Sequence, residues 1–348
     1  MNKTGVVRDK RYLDHNMGEL HPESPARLEG IYDMLEDIDM KGNFIDVPSI
    51  YAQRDELLYI HSPEYIDLLA ETSGKDNTYL DPDTQTSAGS YEAALLAAGG
   101  LCEAISLVHS KGLNNAFALV RPPGHHAEQN RAMGFCLFNN VAIGAAYARK
   151  KLGLDRILVI DWDLHHGNGT QHSFYDDPSV LYISTHQYPH YPGTGAYNEF
   201  GSGRGEGFTL NVPLSMGYGD SEFIDIFERL IRPVTCEYQP EMILVSAGFD
   251  THTDDPLGGM KVTPHGFAGM TRSIMNMATD CCDGKVVMTL EGGYNIQGLK
   301  DSVKIVLKEL AGLSKTDISN LSAEADDRMV DRAVGPVTEI HKRYWQNL

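Results

Sequence analysis

The sequence is poor in cysteine and has no excess of basic residues. Its five cysteines include no C-x-x-C pair, and such an odd, sparse set indicates reduced thiols rather than a disulfide framework. We therefore expect a cytoplasmic protein. The net charge of the 348 residues is −19, which argues against direct nucleic-acid binding because a phosphate backbone requires a basic surface.

Long apolar segments are also lacking. The first residues, MNKTGVVRDKRYLDHN, contain no apolar core, so we expect no signal peptide. No uninterrupted run approaches 18 apolar residues, so we expect neither a membrane span nor a membrane partner. The remaining composition, 42% hydrophobic and 22% charged, is that of a globular enzyme with a large core. It leaves open whether the chain forms a homo-oligomer.

Short β-branched runs alternate with longer helical patterns, which predicts a mainly parallel sheet with helices on both faces. The predicted strands are 117–120, 156–160, 180–184, 242–247 and 285–290, and the predicted helices are 90–110, 139–153, 220–234 and 264–280. No stretch has the composition of a linker. We therefore expect one three-layer α/β/α domain over residues 1–348, with its motifs in residues 11–310 and a C-terminal helical extension, 315–348, packed on the core.

A polar cluster follows each predicted strand directly. In chain order the clusters are RPPGHHA, DWDLHHGNG, THQYPHYPGTG, GFDTHTDDP and EGGYN. In an open α/β sheet, ligands bind in the crevice beyond the carboxyl ends of the strands. The five clusters therefore predict a single site at that edge.

The second cluster has the spacing of a metal site. Asp161, Asp163 and His165 alternate, so in extended backbone their side chains lie on one side, and Asp250 follows another strand. Two carboxylates and one imidazole form a three-ligand site with an open position, which suits a catalytic Zn²⁺. On spacing alone an alternative stays open, in which Asp163 only caps the next helix and His165 is a core residue. Asp250 and the adjacent histidine pair weaken that alternative.

The remaining clusters offer groups that handle protons and charge. His125 and His126, in a Pro-Gly turn, titrate near neutral pH and can move a proton between water and a leaving group. Asp161 and Asn168 are suited to orient them. Tyr294, after two glycines, can stabilise a developing oxyanion, unless it is an ordinary half-buried tyrosine. Together these residues predict metal-assisted hydrolysis of a carbonyl compound, in particular an amide.

Seven segments in family order resemble the histone deacetylase superfamily of zinc-dependent acetyl-lysine and acetylpolyamine amidohydrolases. They are HPESPARL, RPPGHHA, GFCLFNN, DWDLHHGNGTQ, YPGTG, AGFD…DPLGG and LEGGYN. The HPESP opening, and Asn168 where other branches have Asp, resemble the class II or bacterial branch. The resemblance implies an arginase/deacetylase-type fold with the active site at the carboxyl ends of the strands.

The resemblance also implies a role for each matched residue. Asp163, His165 and Asp250 would bind zinc. His126 would be the main general base and acid, His125 its electrostatic partner, and Tyr294 the residue that polarises the acetyl carbonyl. Asp161 would support His125, and Asn168 would orient His126. Because Asn168 carries no charge, the pKa of His126 should lie lower than in relatives with Asp at that position.

Further residues match substrate and ion sites of the family. Gly134, Phe135 and Tyr191 would line a narrow acyl-lysine tunnel, and Arg27 would lie near an internal acetate-release cavity. Asp83, or with less support Asp81, would be the rim aspartate that binds the substrate backbone. A structural K⁺ would bind the backbone oxygens of Asp161, Asp163, His165, Ser184 and Thr185.

Substrate choice stays open between two classes. Polyamine-selective relatives have a Glu after the third metal ligand, where this chain has Leu257, which favours acyl-lysine in a peptide or protein over an acetylated polyamine. Other acyl chains and small acetylated amides or esters are further alternatives. A manganese ureohydrolase is disfavoured because the histidine pair occupies the place of its additional Asp ligands. A non-catalytic acyl-lysine binder is disfavoured because every catalytic role is filled.

Overall fold

The computed structural model describes residues 2–18 and 20–348, in which eight parallel strands form the central sheet. The sheet order is β2-β1-β5-β10-β9-β6-β7-β8. Its strands are β1 (Thr4–Val7), β2 (Ile45–Val47), β5 (Asn115–Ala118), β6 (Ile157–Asp161), β7 (Val180–Gln187), β8 (Thr209–Leu214), β9 (Met242–Ala247) and β10 (Val286–Leu290). A separate antiparallel hairpin is formed by β3 (Thr78–Asp81) and β4 (Thr84–Thr86).

Helices cover both faces of the sheet, so the expected three-layer architecture is confirmed. One layer contains α2 (Arg54–Leu57), α4 (Ser90–His109), α5 (Asn140–Lys150) and α6 (Asn168–Phe174), with α3 (Pro63–Ala70) preceding α4 in the chain. The other contains α1 (Ala26–Leu35), α7 (Asp220–Ile226), α8 (Arg232–Tyr238), α9 (Pro264–Cys281), α10 (Ile296–Ala311), α11 (Ile318–Ala323) and α12 (Asp327–His341). Strands between two apolar layers bury both faces, and β5, β6, β7, β9 and β10 are buried throughout.

All five predicted strands exist, but the sheet contains three more. β1 and β2 are only four and three residues long, and β8 includes Asn211 and Pro213, so none presents a clear apolar run. The predicted helix 220–234 exists, but it is not a regular α-helix throughout. A π-helical turn, Phe227–Ile231, separates α7 from α8. Pro233 at the start of α8 lacks the N–H that would bond within a regular helix, which explains the local change of register.

Helix α4 qualifies the expectation that nothing in the chain has the length and apolarity of a membrane span. By length and composition alone it is apolar enough to cross a membrane, yet 67% of its most apolar window is buried. It packs against α5 and the sheet, as a core helix of a globular domain does. Its apolar character comes mainly from leucine, isoleucine, valine and alanine, and glycines and the polar Glu103 and Ser106 interrupt them.

The C-terminal segment packs on the edge of the sheet. Helix α12 contacts β8 and α7, burying Val330 and Val337. Beyond it, the Trp345 ring lies 5.4 Å from Phe208 and its Nε1–H donates to the Gly207 carbonyl at 3.0 Å. This packing covers the open edge that β8 would otherwise present.

Candidate active site

A pocket of about 190 Å³ opens at the carboxyl edge of the sheet, where the loops after β5, β6, β7, β9 and β10 meet. Its lining consists of Asp83, His126, Gly134, Phe135, His165, His190, Tyr191, Leu257 and Tyr294. All five residues predicted for the substrate site, Asp83, Gly134, Phe135, Tyr191 and Leu257, are in this set. Larger, more open grooves exist elsewhere, such as that of about 690 Å³ beside Arg11 and Glu92, but that groove contains none of these residues.

The three side chains predicted as metal ligands converge beneath this pocket. His165 Nδ1 lies 3.0 Å from Asp250 Oδ2 and 3.3 Å from Asp163 Oδ1, and all three residues are buried. Backbone N–H groups hold the carboxylates: Leu164 donates to Asp250 Oδ1 at 2.8 Å, and Gly292 donates to Asp163 Oδ2 at 2.9 Å. A Cβ on Gly292 would collide with both carboxylates, so the close approach requires glycine. This donor set fits one divalent ion of the zinc type.

The charges of these three groups are strongly coupled. Burial would lower the pKa of His165, but Asp163 and Asp250 outweigh it and raise that pKa to about 10. Burial and the neighbouring Asp163 charge raise the pKa of Asp250 to about 7. Buried carboxylates this close are compatible with one another only if a cation or a proton lies between them. A bound divalent ion would supply that charge.

His125 and His126 lie beside the metal cluster with their rings 4.0 Å apart. His125 Nδ1 is 3.1 Å from Asp161 Oδ2, which also accepts the Tyr182 hydroxyl at 3.1 Å. Burial acts to lower the pKa of His125, but the carboxylates of Asp163 and Asp161 outweigh it and raise the pKa to about 10.

His126 has a different partner and the opposite electrostatics. Its Nδ1 lies 2.8 Å from Asn168 Oδ1, on the first residue of α6. Burial, reinforced by the charges of His125 and His165, holds the pKa of His126 well below its ordinary value. At neutral pH, His126 is therefore the unprotonated member of the pair.

Tyr294 lies at the base of the pocket, next to an arginine. The Arg27 guanidinium is 5.1 Å from the centre of the Tyr294 ring, and Arg27 Nε donates to the Gly293 carbonyl at 2.7 Å. The Tyr294 backbone N–H donates to Asp255 Oδ2 at 2.6 Å, which anchors the turn after β10. Burial raises the pKa of Tyr294 well above its ordinary value, so the phenol stays protonated and can donate.

Aromatic side chains form the upper part of the pocket. Phe135 has a left-handed backbone conformation, with φ of 69°, and its ring meets Tyr294 edge-on at 5.8 Å. The Tyr191 ring meets His126 edge-on at 5.1 Å. Asp83 lines the pocket and accepts the Gly134 N–H at 3.1 Å, whereas Asp81 contacts only the Asp83 backbone among these groups. Of the two rim candidates, Asp83 is thus the one at the pocket.

The five residues predicted to hold K⁺ lie at the end of β6, in the loop that follows it, and in β7. Asp161 pairs with Ser184 in the register of these strands, and Thr185 follows. Asp163 and His165 continue from β6 into the next loop, and all five residues are buried. The potassium site itself stays a prediction.

A sequence model described as the histone deacetylase domain matches residues 21–310. The chain belongs to the histone deacetylase family. It is 39% identical to a probable deacetylase of Archaeoglobus fulgidus over 99% of both chains. It resembles the crystal structure of the HDA15 HD domain with a TM-score of 0.92 and 38% identity, covering 99% of this chain and 96% of that one. The family model and the deacetylase relative support a hydrolase that acts on amides.

Other relatives in the histone deacetylase family are longer proteins. The chain is 40% identical over 84% of its length to human polyamine deacetylase HDAC10, but spans 45% of that protein. It likewise spans 49% of histone deacetylase 5 of Arabidopsis thaliana. The named activities of these relatives therefore cover both substrate classes left open by the sequence.

Sequence reasoning missed two residues that shape this candidate site. His190 lines the pocket, with its ring 5.2 Å from His165. Glu291 accepts the N–H groups of Gly124 and His125 at 2.6 and 3.2 Å, and so supports the histidine turn. His190 and Glu291 stand within quoted motifs, but no spacing rule indicates which group each one reaches.

Glu291 also forms, with His125 and Cys136, a second cluster close enough for a metal ion. Ser246 Oγ donates to the second carboxylate oxygen of Glu291 at 2.9 Å, so both oxygens already have donors. Burial raises the pKa of the Cys136 thiol well above its ordinary value, which disfavours the thiolate that a metal requires. This second cluster is therefore explained as support for the histidine turn.

Proposed function

We propose that this chain is a zinc-dependent amidohydrolase that removes acetyl groups from the ε-amines of lysine side chains. The convergence of Asp163, His165 and Asp250 beside the histidine pair, at the base of a narrow pocket, carries the proposal. These three residues would hold the zinc ion, which when bound polarises a carbonyl oxygen and makes water more acidic.

His126 accepts and returns the proton in this proposal. Its Nδ1–H donates to Asn168 Oδ1, which leaves Nε2 as the basic nitrogen. His126 Nε2 takes a proton from the water that attacks the acetyl carbon, and then donates it to the lysine nitrogen as the C–N bond breaks. The lowered pKa of His126 keeps Nε2 unprotonated at neutral pH.

His125 and Tyr294 would stabilise the charge that develops during the reaction. His125, hydrogen-bonded to Asp161, is protonated at neutral pH and contributes a positive charge beside His126. The Tyr294 phenol donates a hydrogen bond to the acetyl oxygen as that oxygen becomes negative. Both groups act in a buried site, where electrostatic interactions are strong.

The pocket walls favour an acyl-lysine side chain. Phe135 and Tyr191 offer two aromatic faces for an aliphatic stem, and Asp83 at the rim can accept a substrate backbone N–H. Leu257 provides no charge for a polyamine ammonium. The nearby Asp255 is engaged by three backbone N–H groups, those of Leu257, Tyr294 and Asn295.

Deacetylation of a small acetylated polyamine is the second candidate. Its support is the 40% identity to a human protein named as a polyamine deacetylase, together with the chain's net charge of −19. The two candidates share every proposed catalytic residue and differ only at the pocket rim.

A substrate comparison tests the proposal. We would measure kcat/KM of the zinc-loaded protein for an Nε-acetyl-lysine peptide, N-acetylputrescine and N8-acetylspermidine, with His126→Ala as the blank. We expect the peptide to be the best substrate. Preference for either polyamine would favour the second candidate, and turnover of none of the three by zinc-loaded protein would refute the proposal.

A structural K⁺ and a cytoplasmic location are also proposed. Adjacent backbone oxygens of β6 and β7 support the ion, and we expect a higher midpoint of thermal unfolding in K⁺ than in Na⁺. Equal midpoints at matched ionic strength would contradict the ion site.

Five free thiols support the proposed cytoplasmic location. Recovery of the protein outside the cytoplasmic fraction would contradict that location.

A further inference from the structure

The amide of Asn168 lies between the proposed general base and a carboxylate that has no assigned role. On one side, Asn168 Oδ1 is 2.8 Å from His126 Nδ1. On the other side, Asn168 Nδ2 donates to Glu128 Oε1 at 2.7 Å. His126, Asn168 and Glu128 thus form a continuous hydrogen-bonded chain, which we call the Glu128 relay.

The direction of the Asn168 amide decides which nitrogen of His126 carries the proton. An amide can turn by 180° and exchange its oxygen for its NH₂ group with little change in shape. With Oδ1 towards His126, the Nδ1 atom carries the hydrogen and Nε2 is basic. With the NH₂ group towards His126, Nδ1 must accept, the hydrogen moves to Nε2, and the base is lost.

Glu128 is the group that distinguishes these two directions. An ionised carboxylate only accepts hydrogen bonds, so it binds the NH₂ end of Asn168 and repels the oxygen end. The other acceptors near Asn168 Nδ2 are the His126 carbonyl and Met133 Sδ, both at a longer 3.4 Å. The short bond to Glu128 is therefore the main determinant of the amide direction.

Glu128 is itself held in place at the protein surface. Its side chain is 19% exposed, and its Oε1 also meets Arg131 and His172, each at 3.2 Å. Its backbone N–H donates to the Arg131 carbonyl at 2.9 Å, and its carbonyl lies 2.9 Å from His61 Nδ1. The backbone contacts hold residue 128 in place without using the bond to Asn168, and the two exposed basic side chains add to them.

We propose that Glu128 is a positioning residue that, by orienting the Asn168 amide, keeps His126 in the tautomer with its hydrogen on Nδ1. The inference rests on the proposed function, in which His126 Nε2 is the base. Asn168 itself carries no negative charge. Glu128, the next residue in the hydrogen-bonded chain, supplies that charge and directs the Asn168 amide without contacting the His126 imidazole.

The relay is tested by exchanging the carboxylate and the amide between positions 128 and 168, first one at a time and then together. Glu128→Gln keeps the shape but can donate as well as accept, so both amide directions become possible. Asn168→Asp alone brings two carboxylates together. The double variant Glu128→Gln/Asn168→Asp restores a single direction, because the glutamine NH₂ donates to a carboxylate that accepts from His126 Nδ1.

Imidazole ¹⁵N NMR reads the tautomer without requiring turnover. In protein labelled with ¹⁵N-histidine, the His126 signals are identified by their loss in His126→Ala. We expect the Nδ1–H tautomer in the parent and the double variant, and a mixture in Glu128→Gln. Arg131→Ala, which removes another contact of Glu128, is the matched control and should match the parent. An unchanged tautomer in Glu128→Gln would refute the relay.

Kinetics give the second readout. We expect kcat to fall about tenfold or more in each single variant, as loss of a charge-assisted hydrogen bond implies, and to recover to within about threefold of the parent in the double variant. Additive losses would refute the relay. An inactive parent would refute the proposed function, whereas the NMR result would still decide the relay.

Discussion

Tyr294 is a residue whose role depends on one hydrogen atom. Its ring packs against Phe135 and the Arg27 guanidinium, and this packing holds the hydroxyl at the base of the pocket. Because burial keeps its pKa well above the ordinary value, the group arrives as a donor at every physiological pH. Removing the hydroxyl therefore removes the donor and leaves the packing.

Tyr294→Phe should lower kcat by about 100-fold or more while zinc content stays at the parent level. In the proposed mechanism the lost donor acts on the oxyanion, and Tyr294 is not one of the three proposed zinc ligands. Steady-state kinetics and metal analysis of the same preparation would check both parts. Parent-like turnover would remove Tyr294 from the mechanism.

Asp250→Ala should abolish both zinc binding and activity, because it removes one of three donors from a buried site. Asp254→Ala changes an exposed carboxylate in the same loop and is the matched control. Zinc stoichiometry after dialysis is the measurement. Stoichiometric zinc in Asp250→Ala would show that the third ligand is misassigned.

At the scale of elements, the carboxylate of Glu199 is one of the groups that hold the loop between β7 and β8. Glu199 accepts the N–H groups of Gly195 and Ala196, both at 3.1 Å, and the side-chain amide of Gln171 at 2.7 Å. The loop carries His190 and Tyr191 to the pocket. An aromatic wall of the pocket therefore depends on bonds made several residues away.

Glu199→Ala should raise KM for the acetyl-lysine peptide about tenfold with a smaller change in kcat, because the wall loosens while His126 is held from another loop. Glu206→Ala, an exposed carboxylate further along the same connection, is the control. Separate determination of kcat and KM would check that the change in KM is larger than the change in kcat. A loss confined to kcat would contradict this role of Glu199.

At the scale of the whole molecule, Glu23 joins distant parts of the chain behind the site. Both of its carboxylate oxygens bind the Arg121 guanidinium, and Arg27 Nη1 donates to it at 3.0 Å. His15 Nε2 lies 3.3 Å away. All four side chains are buried, so each charge depends on the others for compensation.

Glu23→Gln should lower the free energy of unfolding by about 3–5 kcal/mol, because two buried arginines lose their counter-charge. Burial acts to raise the pKa of Glu23, but the Arg121 charge outweighs it and holds the pKa well below the ordinary value. The stabilisation is thus complete above the pKa of an unfolded glutamate and is lost as pH falls through the folded-state pKa.

Urea unfolding at pH 7 and at acidic pH would check this prediction, with Glu64→Gln on the exposed start of α3 as the control. The difference between parent and Glu23→Gln should narrow as the pH is lowered. If the difference in the free energy of unfolding is small at pH 7, or grows as the pH is lowered, Glu23 is not ionised and paired in the folded protein.

The sequence alone determined the layer architecture, the edge of the sheet that carries the pocket, and the three clustered residues proposed as metal ligands. These features follow from local patterns: apolar runs predict buried parallel strands, and parallel strands bring their carboxyl ends together. The relations of His125 to Asp161 and of His126 to Asn168 followed from the family resemblance and are present in the structure as contacts.

Only the tertiary structure decided which distant groups complete the site. Glu23, Glu128, Glu199 and Glu291 have the same side chain, yet their partners differ. Glu291 supports the histidine turn and Glu128 accepts from Asn168, whereas Glu23 and Glu199 hold surrounding segments. Which donor each carboxylate reaches depends on the paths of several loops in space, and a one-dimensional pattern does not contain those paths. The short strands β1, β2 and β8 likewise depend on pairing with neighbours more than on their own sequences.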